Sequence, residues 1–189
     1  MHNGRRPWSP LRDDEFWDKD VKLFRKNMKQ TPTLYLLCGK IAAGKSTLAR
    51  QLASRPATLL ISEDHWTSTL FADDLKTIED YGRLSARLRA AMAPHIVDIL
   101  HQGLSVVLDF QANTVRVRSW MRSLIAEAGV AHELHVLDVP DEVCKQRLRA
   151  RNAGGEHPFQ VSDAEYERFT AHFVPPGAEE GFNVIVHKP

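Results

Sequence analysis

The sequence predicts an α/β protein in which a parallel β-sheet carries helices on both faces, giving three layers. Three observations support this fold class. Short apolar segments alternate along the chain with helix-like segments, as they do in parallel sheets. A glycine-rich motif at residues 39–46 joins the first apolar segment to the first helical one. Carboxylates follow two further apolar segments, at Asp64 and Asp109, and parallel sheets bind ligands where their strands end.

Residues 1–30 are predicted to form an arm and a helix in front of the main domain at 31–189. Two prolines within the first twelve residues indicate irregular structure. The apolar spacing over 13–29 predicts a helix that begins at Asp13 or the residue after it. This helix either packs against the sheet or docks a protein partner, and packing is the favoured interpretation.

The first strand and the glycine-rich motif form one unit. Residues 33–38 are mostly apolar and predict a buried strand, and 46–53 predict a helix with leucines four residues apart. The residues between them fit G-x-x-x-x-G-K-S/T, the pattern of a phosphate-binding loop. The residues expected to contact a nucleotide are Gly39, Lys40, Ile41, Ala42, Ala43, Gly44, Lys45, Ser46 and Thr47. Lys45 would reach the β- and γ-phosphates, and Ser46 would offer its hydroxyl to Mg²⁺.

The middle of the chain predicts a second strand and a long helix. The second strand covers 57–61 and ends in a polar stretch at 62–66, and a variable region follows to Lys76. Residues 78–102 are helical in pattern. Proline removes a helical hydrogen bond, so whether the helix breaks at Pro94 is left open.

The remaining segments continue the alternation. Strands are predicted at 104–109, 132–138 and 183–186, and helices at 114–128, 141–151 and 162–172. With the two earlier strands these make a five-stranded sheet.

Composition excludes several classes of protein. The 25 basic and 24 acidic residues give no net charge that favours nucleic acid or a membrane surface. There is no apolar run long enough to span a bilayer and no signal peptide, which predicts a cytoplasmic protein. The two cysteines, Cys38 and Cys144, are interpreted as reduced core residues. The nine histidines lack the ligand spacing of a zinc site.

Two carboxylates are candidates for chemistry. Asp109 closes an apolar strand and, beside Ser46, could hold Mg²⁺; the alternative is a capping residue. Asp64 could accept the proton of an acceptor hydroxyl, with Glu63 as its rival and a helix cap as the structural alternative. The polar side chains after Asp109, Gln111 and Asn113, either contact a substrate or are ordinary loop residues.

Arginines cluster on two predicted helices. Arg147 and Arg151 are four residues apart, so they share a face and could pair with phosphate oxygens, whereas Arg149 points elsewhere. The alternative is stabilisation of a helix C-terminus. A second group consists of Arg116, Arg118 and Arg122. Arg118 and Arg122 are also four residues apart and could bind an anionic substrate, but a solvated helix face is the favoured interpretation.

On these residues the chain resembles the small P-loop kinases, and most of all the AAA-like bacterial ATP-binding proteins related to zeta toxin, chloramphenicol phosphotransferase and polynucleotide kinase. The resemblance covers about 33–187 and rests on the phosphate loop, on 62–64, on 107–109 and on the helix with Cys144, Arg147 and Arg151. It implies a P-loop NTPase fold with strand order 2-3-1-4-5 and a helical lid at about 152–176. It also implies ATP as the nucleotide, Asp64 as general base, and phosphate binding by Arg147 and Arg151.

The leading hypothesis is therefore a kinase that moves the γ-phosphate of Mg-ATP to a hydroxyl of an unidentified small molecule. The alternative is a nucleotide-binding switch with slow hydrolysis, whose N-terminal segment docks a protein partner. A large cavity beside Asp64 would favour the kinase. Specificity for ATP over GTP rests on the resemblance, since no base-reading motif is seen, and the lack of Asn-Lys-x-Asp argues against a Ras-type GTPase.

Overall fold

A computed structural model describes residues 31–155 and 160–189. The predicted helix over 13–29 lies outside these residues. Within them the fold contains five strands: β1 (Thr33–Cys38), β2 (Thr58–Ser62), β3 (Ser105–Gln111), β4 (Ala131–Leu137) and β5 (Val184–His187). All paired strands are parallel, and their order is β2-β3-β1-β4-β5. This confirms the predicted sheet and the strand order that the resemblance implied.

The described part of the chain contains six α-helices. They are α1 (Lys45–Ala53), α2 (Glu63–Phe71), α3 (Ile78–His101), α4 (Val115–Ala128), α5 (Asp141–Gly154) and α6 (Asp163–Thr170). Two short 3₁₀ turns, Ala72–Asp74 and Ala178–Glu180, complete the regular structure. None of the helices in this part of the chain has both the length and the apolar composition needed to cross a bilayer.

The fold decides two points about the middle of the chain that the sequence left open. The polar stretch at 62–66 begins a helix, because Ser62 caps it and accepts a hydrogen bond from the His65 N–H. Part of the stretch interpreted as variable, which runs to Lys76, therefore belongs to α2. In α3 the helix continues through Pro94. Its N-terminus is fixed by reciprocal hydrogen bonds between Thr77 and Asp80.

The sheet is buried on both faces, which explains its nearly continuous apolar strands. Along β1, Leu34 and Leu36 pack toward α3 and α4, whereas Tyr35 and Leu37 pack toward α1. This alternation follows from the two-residue period of a strand. Cys38 is buried in the core, where burial raises the pKa of its thiol to about 11.

One arginine of α4 is part of the core and not of a solvated surface, which corrects the interpretation of that helix. Arg118 is 0% exposed. Its Nε and Nη2 donate to the carboxylate of Glu180 at 2.7 and 2.8 Å, and its Nη1 donates to the carbonyl oxygens of Ala112 and Val174. Glu180 and Val174 come from distant parts of the sequence, so no local pattern indicated them.

The parallel register brings the strand ends together at one edge. Ser62, the last residue of β2, pairs with Asp109 of β3. Because α2 starts directly after Ser62, its first residues lie at the same edge as Asp109. The phosphate loop leaves the neighbouring β1 at this edge as well.

Candidate active site

The phosphate loop joins β1 to α1, and glycine shapes both of its ends. Gly39 has a φ of +152°, and a Cβ at this position would lie 3.1 Å from both the Cβ and the carbonyl oxygen of Leu137. Gly44 has a φ of +107° and is the N-cap of α1. These conformations, which suit glycine, bring the loop around the N-terminus of α1, whose N–H groups favour an anion.

The side chain of Lys45 folds back across the loop. Its Nζ donates hydrogen bonds to the carbonyl oxygens of Gly39 (2.7 Å) and Lys40 (2.9 Å). Burial lowers the pKa of the Lys45 ammonium, and the carboxylates of Asp109 and Asp64 oppose this shift. Both carboxylates therefore lie close enough to act electrostatically on the lysine that the motif assigns to phosphate binding.

Asn113 clamps the start of the loop from the end of β3. Its Oδ1 accepts a hydrogen bond from the Gly39 N–H, and its Nδ2 donates to the Gly39 carbonyl oxygen, both at 2.9 Å. The side chain thus satisfies both backbone groups of the residue that opens the motif. Sequence reasoning had offered a substrate contact or loop polarity for Asn113; the only signal was its position just after a strand.

The loop and the two predicted aspartates line one cleft of about 640 Å³. Residues 41–47 form one wall, and Asp64 and Asp109 lie on others. Gly39 and Lys40 act as the stem of the loop: Gly39 is held by Asn113, and the Lys40 ammonium pairs with Asp141. The predicted phosphate-binding and acidic residues therefore converge, although they come from three separate strand ends.

The oxygen atoms in this cleft fit a magnesium ion. Ser46 and Asp109 both line it. Magnesium in nucleotide sites typically uses one or two protein oxygens and completes its shell with phosphates and water. Within residues 31–155 and 160–189, no group of three or more His, Cys, Asp or Glu side chains could hold a metal by itself. The donor set is thus suited to a metal shared with a phosphate.

The two acidic residues that begin α2 lie in different surroundings. Glu63 is 3% exposed, and its carboxylate accepts hydrogen bonds from Arg89 (3.1 Å) and from the Tyr81 hydroxyl (3.3 Å). Burial raises the pKa of Glu63, and Arg89 opposes this shift. Asp64 lines the phosphate-loop cleft instead. Of the two carboxylates that the sequence left as alternatives, Asp64 is the one on the cleft.

Arg147 and Arg151 of α5 also line the cleft, in keeping with their shared helix face. Arg147 donates from Nη1 to the carbonyl oxygen of Ala43 in the loop, at 3.3 Å. The Nε of Arg151 is buried and makes no hydrogen bond to any part of the chain that the structure describes. Burial lowers the pKa of Arg151, against the attraction of Asp64. Arg149 points away and pairs with Asp163 of α6.

A second cavity of about 470 Å³ adjoins the cleft. The two share the side chains of Ile41, Asp64, Gln111 and Arg151. The second cavity extends from there between the start of α3 and α6, and its volume lies within the range typical of small-molecule sites. Asp64 and Arg151 therefore stand at the boundary between the two spaces.

The described part of the predicted lid, 160–176, contains α6, and this helix is fastened to α5. Tyr166 is fully buried, and its hydroxyl donates to Asp141 at 2.8 Å. The same carboxylate oxygen pairs with Lys40 of the loop. These bonds hold the pKa of Asp141 below its usual range, with Lys40 as the larger cause. One aspartate thus links the phosphate loop to both helices.

A pair of histidines at the far end of the cleft was not anticipated. His187, the last residue of β5, lines the cleft, and its Nε2 lies 2.8 Å from Nδ1 of His135 on β4. His135 also contacts Glu133 through its other ring nitrogen, at 3.1 Å. The sequence signal was slight: polar residues at alternate positions of β4, whose partners on β5 lie 52 residues away.

Comparisons with known proteins agree with this architecture. A family model described as an AAA domain matches residues 34–176. A search of curated proteins finds none that matches the chain.

Several solved structures share the fold. A proposed kinase from Chloroflexus aurantiacus is 22% identical over 85% of this chain and 86% of its own, with a TM-score of 0.68. Kti12 from Chaetomium thermophilum, solved with ADP-AlF3, is 16% identical over 82% and 88%, with a TM-score of 0.63. The APS kinase CysC from Mycobacterium tuberculosis, solved with AMPPNP and APS, is 19% identical over 85% and 90%, with a TM-score of 0.56. These likenesses show a fold shared with P-loop kinases.

Proposed function

The chain belongs to the AAA domain family, and from this premise we propose that it is a kinase that moves the γ-phosphate of Mg-ATP to a hydroxyl group of a small molecule. One observation carries the proposal. Asp64 and Arg151 lie where the phosphate-loop cleft meets a second cavity large enough for a small ligand. A nucleotide-binding switch needs the cleft alone, whereas a kinase needs an acceptor space beside it, with a base at the junction. We call the second space the acceptor cavity.

In this proposal the loop binds and orients the nucleotide. The N–H groups at the start of α1 and the Lys45 ammonium would hold the β- and γ-phosphates. Ser46 and Asp109 would hold Mg²⁺. When bound, the ion neutralises charge on the phosphate oxygens.

At the junction, Asp64 would accept the proton of the acceptor hydroxyl as its oxygen forms a bond to the γ-phosphorus. The bond from that phosphorus to the β-γ bridging oxygen breaks, and ADP leaves. Arg147 and Arg151 would stabilise the negative charge of the transferring group, for which a desolvated guanidinium is well suited.

The nucleotide and the compartment belong to the same proposal. ATP is favoured because two of the structural neighbours were solved with ADP-AlF3 and AMPPNP, which are adenine nucleotides. The cytoplasm, where thiols stay reduced, suits the buried, unpaired Cys38 and Cys144.

The test is acceptor-dependent release of ADP by the wild type and by Asp64→Asn. We expect Asp64→Asn to lower this rate by about 10²- to 10⁴-fold, the usual contribution of a general base, with ATP affinity retained. Pools of hydroxyl-bearing metabolites serve as acceptors, and calorimetry with a non-hydrolysable ATP analogue measures affinity.

Asp73→Asn is the matched control, because Asp73 is an exposed carboxylate that lines neither space. Wild-type rates in Asp64→Asn would exclude Asp64 as the base. Tight nucleotide binding with no stimulation by any pool would favour the regulatory switch instead.

A further inference from the structure

A smaller space of about 160 Å³ adjoins the acceptor cavity, and we call it the inner pocket. Ile41, Tyr81, Gln111 and Phe169 line both spaces. Asp64 lines the acceptor cavity but not the inner pocket. A molecule that extends from the acceptor cavity into the inner pocket could thus place one end at the proposed base and the other end here.

The deepest wall of the inner pocket carries charges that cancel. Glu63 and Arg89 both line the pocket and form an ion pair at 3.1 Å, with side chains that are 4% and 12% exposed. The remaining cations on its walls are occupied or peripheral: Lys40 pairs with Asp141, and Arg116 is exposed. A buried pair of this kind offers both an acceptor and a donor, and favours a neutral polar group over an ion.

A buried hydroxyl on the same wall is only loosely held by its neighbours. Ser85 is 1% exposed and lines the inner pocket. Its Oγ lies beside the Glu63 carboxylate and the Tyr81 hydroxyl and acts on the pKa of both, but forms no hydrogen bond of normal geometry with the described residues. A hydroxyl in this setting can donate to and accept from a ligand group in the pocket.

The polar walls are held in place by a chain of hydrogen bonds that ends at the phosphate loop. The Tyr81 hydroxyl donates to Glu63 and accepts from Gln111 Nε2, both at 3.3 Å. Asn113 Nδ2 contacts Gln111 Oε1 at 3.5 Å and is itself bound to Gly39. The donors and acceptors of the pocket are therefore fixed before any ligand arrives, which favours selective recognition.

Aromatic rings complete the pocket. Tyr81 and Phe169 meet edge to face, with ring centroids 6.5 Å apart, and Phe169 lines both the acceptor cavity and the inner pocket. Apolar ring surfaces beside paired donors and acceptors suit a molecule that has C–H faces and several hydroxyl groups.

We propose that the phosphate acceptor is a small polyhydroxylated molecule, a sugar or a sugar-derived polyol, with one hydroxyl at Asp64 and others in the inner pocket between Ser85, Glu63 and Arg89. This inference rests on the proposed kinase activity and adds the chemical class of its substrate.

The experiment measures ADP release with individual pentoses, hexoses and alditols. Nucleosides and monohydroxylic alcohols form the comparison set. We expect at least one polyol to stimulate turnover, and its analogue lacking a hydroxyl distant from the phosphorylated one to lose at least about tenfold in kcat/KM. A site built to hydrogen-bond a hydroxyl discriminates strongly against its loss.

Two conservative variants connect the substrate class to the pocket. Ser85→Ala and Tyr81→Phe are each expected to raise the KM for the polyol by about tenfold and to leave ATP affinity within about twofold, because both residues line the inner pocket and neither lines the phosphate-loop cleft. Ser123→Ala is the control, since Ser123 is exposed and bonds only to its own helix. Melting temperatures verify that the variants fold.

The outcomes separate the two proposals. Stimulation by nucleosides or monohydroxylic alcohols alone would overturn the substrate class while the kinase activity stood. A polyol KM that neither variant changes would overturn the placement of the polyol in the inner pocket. If no compound of either set stimulates turnover, the substrate class is wrong; if Asp64→Asn also leaves basal ATP hydrolysis unchanged, the kinase proposal fails as well.

Discussion

At the scale of single residues, the geometry of the phosphate loop depends on a side chain outside it. Asn113 binds both the N–H and the carbonyl oxygen of Gly39, so a strand end 74 residues away positions the first residue of the motif. Gly39 adopts a positive φ and lies outside both β1 and α1. Its backbone groups therefore make none of the regular hydrogen bonds of a strand or a helix. A loop held in this way can bind phosphate without first having to become ordered.

Asn113→Ala is therefore expected to weaken ADP binding by about tenfold. A neutral hydrogen bond contributes about 1 kcal/mol, so the loss of two bonds removes about 2 kcal/mol. A tenfold loss of affinity needs only about 1.4 kcal/mol of this. Calorimetric titration with ADP measures the change. Asn183→Ala, which removes one exposed hydrogen bond from the Asn183 Nδ2 to the His132 carbonyl oxygen, provides the control. Unchanged affinity in Asn113→Ala would show that the loop keeps its shape unaided.

The same residues show what the sequence could predict. The phosphate loop was readable because its pattern is local: eight consecutive residues carry the glycines, Lys45 and the Ser46 hydroxyl. The clamp by Asn113 and the burial of Arg118 depend on contacts across 74 and 62 positions, and neither leaves a periodic signal. An arginine on a helix is normally assigned to solvent, and only the fold shows that Arg118 has Glu180 as a buried partner.

At the scale of elements, α3 stays helical although it contains a residue that is unfavourable inside a helix. Pro94 lies in its interior, where it cannot donate a hydrogen bond to the carbonyl oxygen of Ala90. The helix nevertheless runs without a break, because residues beyond the proline, among them Ile96, Val97 and Leu100, are buried in the core. The sequence left a break at this point open, and tertiary packing keeps the helix continuous.

We expect Pro94→Ala to raise the free energy of unfolding by about 2 kcal/mol, the difference between two opposing effects. An interior proline costs a helix about 3 kcal/mol relative to alanine, whereas removing it frees the unfolded chain by about 0.4–1 kcal/mol. Pro94 is exposed, so no core contact is lost. Urea unfolding measures the change, and His95→Ala, at an exposed neighbour, should stay within about 0.5 kcal/mol. A loss of stability would mean that Pro94 gains more by restricting the unfolded chain than it costs the helix.

At the scale of the whole molecule, the ion pair between Arg118 and Glu180 joins parts of the chain that are far apart. Arg118 on α4 reaches the carbonyl oxygens of Ala112 at the end of β3 and of Val174, and Glu180 precedes β5. The segment that follows α6 is thereby tied to the edge of the sheet where the candidate active site lies. Hydrogen bonding to Arg118 holds the pKa of Glu180 below its usual range.

This pair makes stability depend on pH. Since the folded-state pKa of Glu180 is depressed, its contribution is complete above the unfolded value of about 4.3 and is lost as pH falls toward the folded one. Glu180→Gln should destabilise the protein by about 3–5 kcal/mol at pH 7, because Arg118 is left as an uncompensated buried charge. The difference in free energy of unfolding between Glu180→Gln and the wild type should become smaller below about pH 4. Urea unfolding at both pH values measures it, and a difference independent of pH would contradict the assignment.

Arg151 has a consequence for how this protein can change over generations. Its buried Nε lacks a partner in the described chain, so the fold carries a desolvated group that binding of an anion would satisfy. Under the proposed function, selection for stability and selection for phosphate transfer then act in opposite directions on the codon of Arg151. An apolar residue at this position would raise the stability of the fold and lower the rate of the proposed reaction.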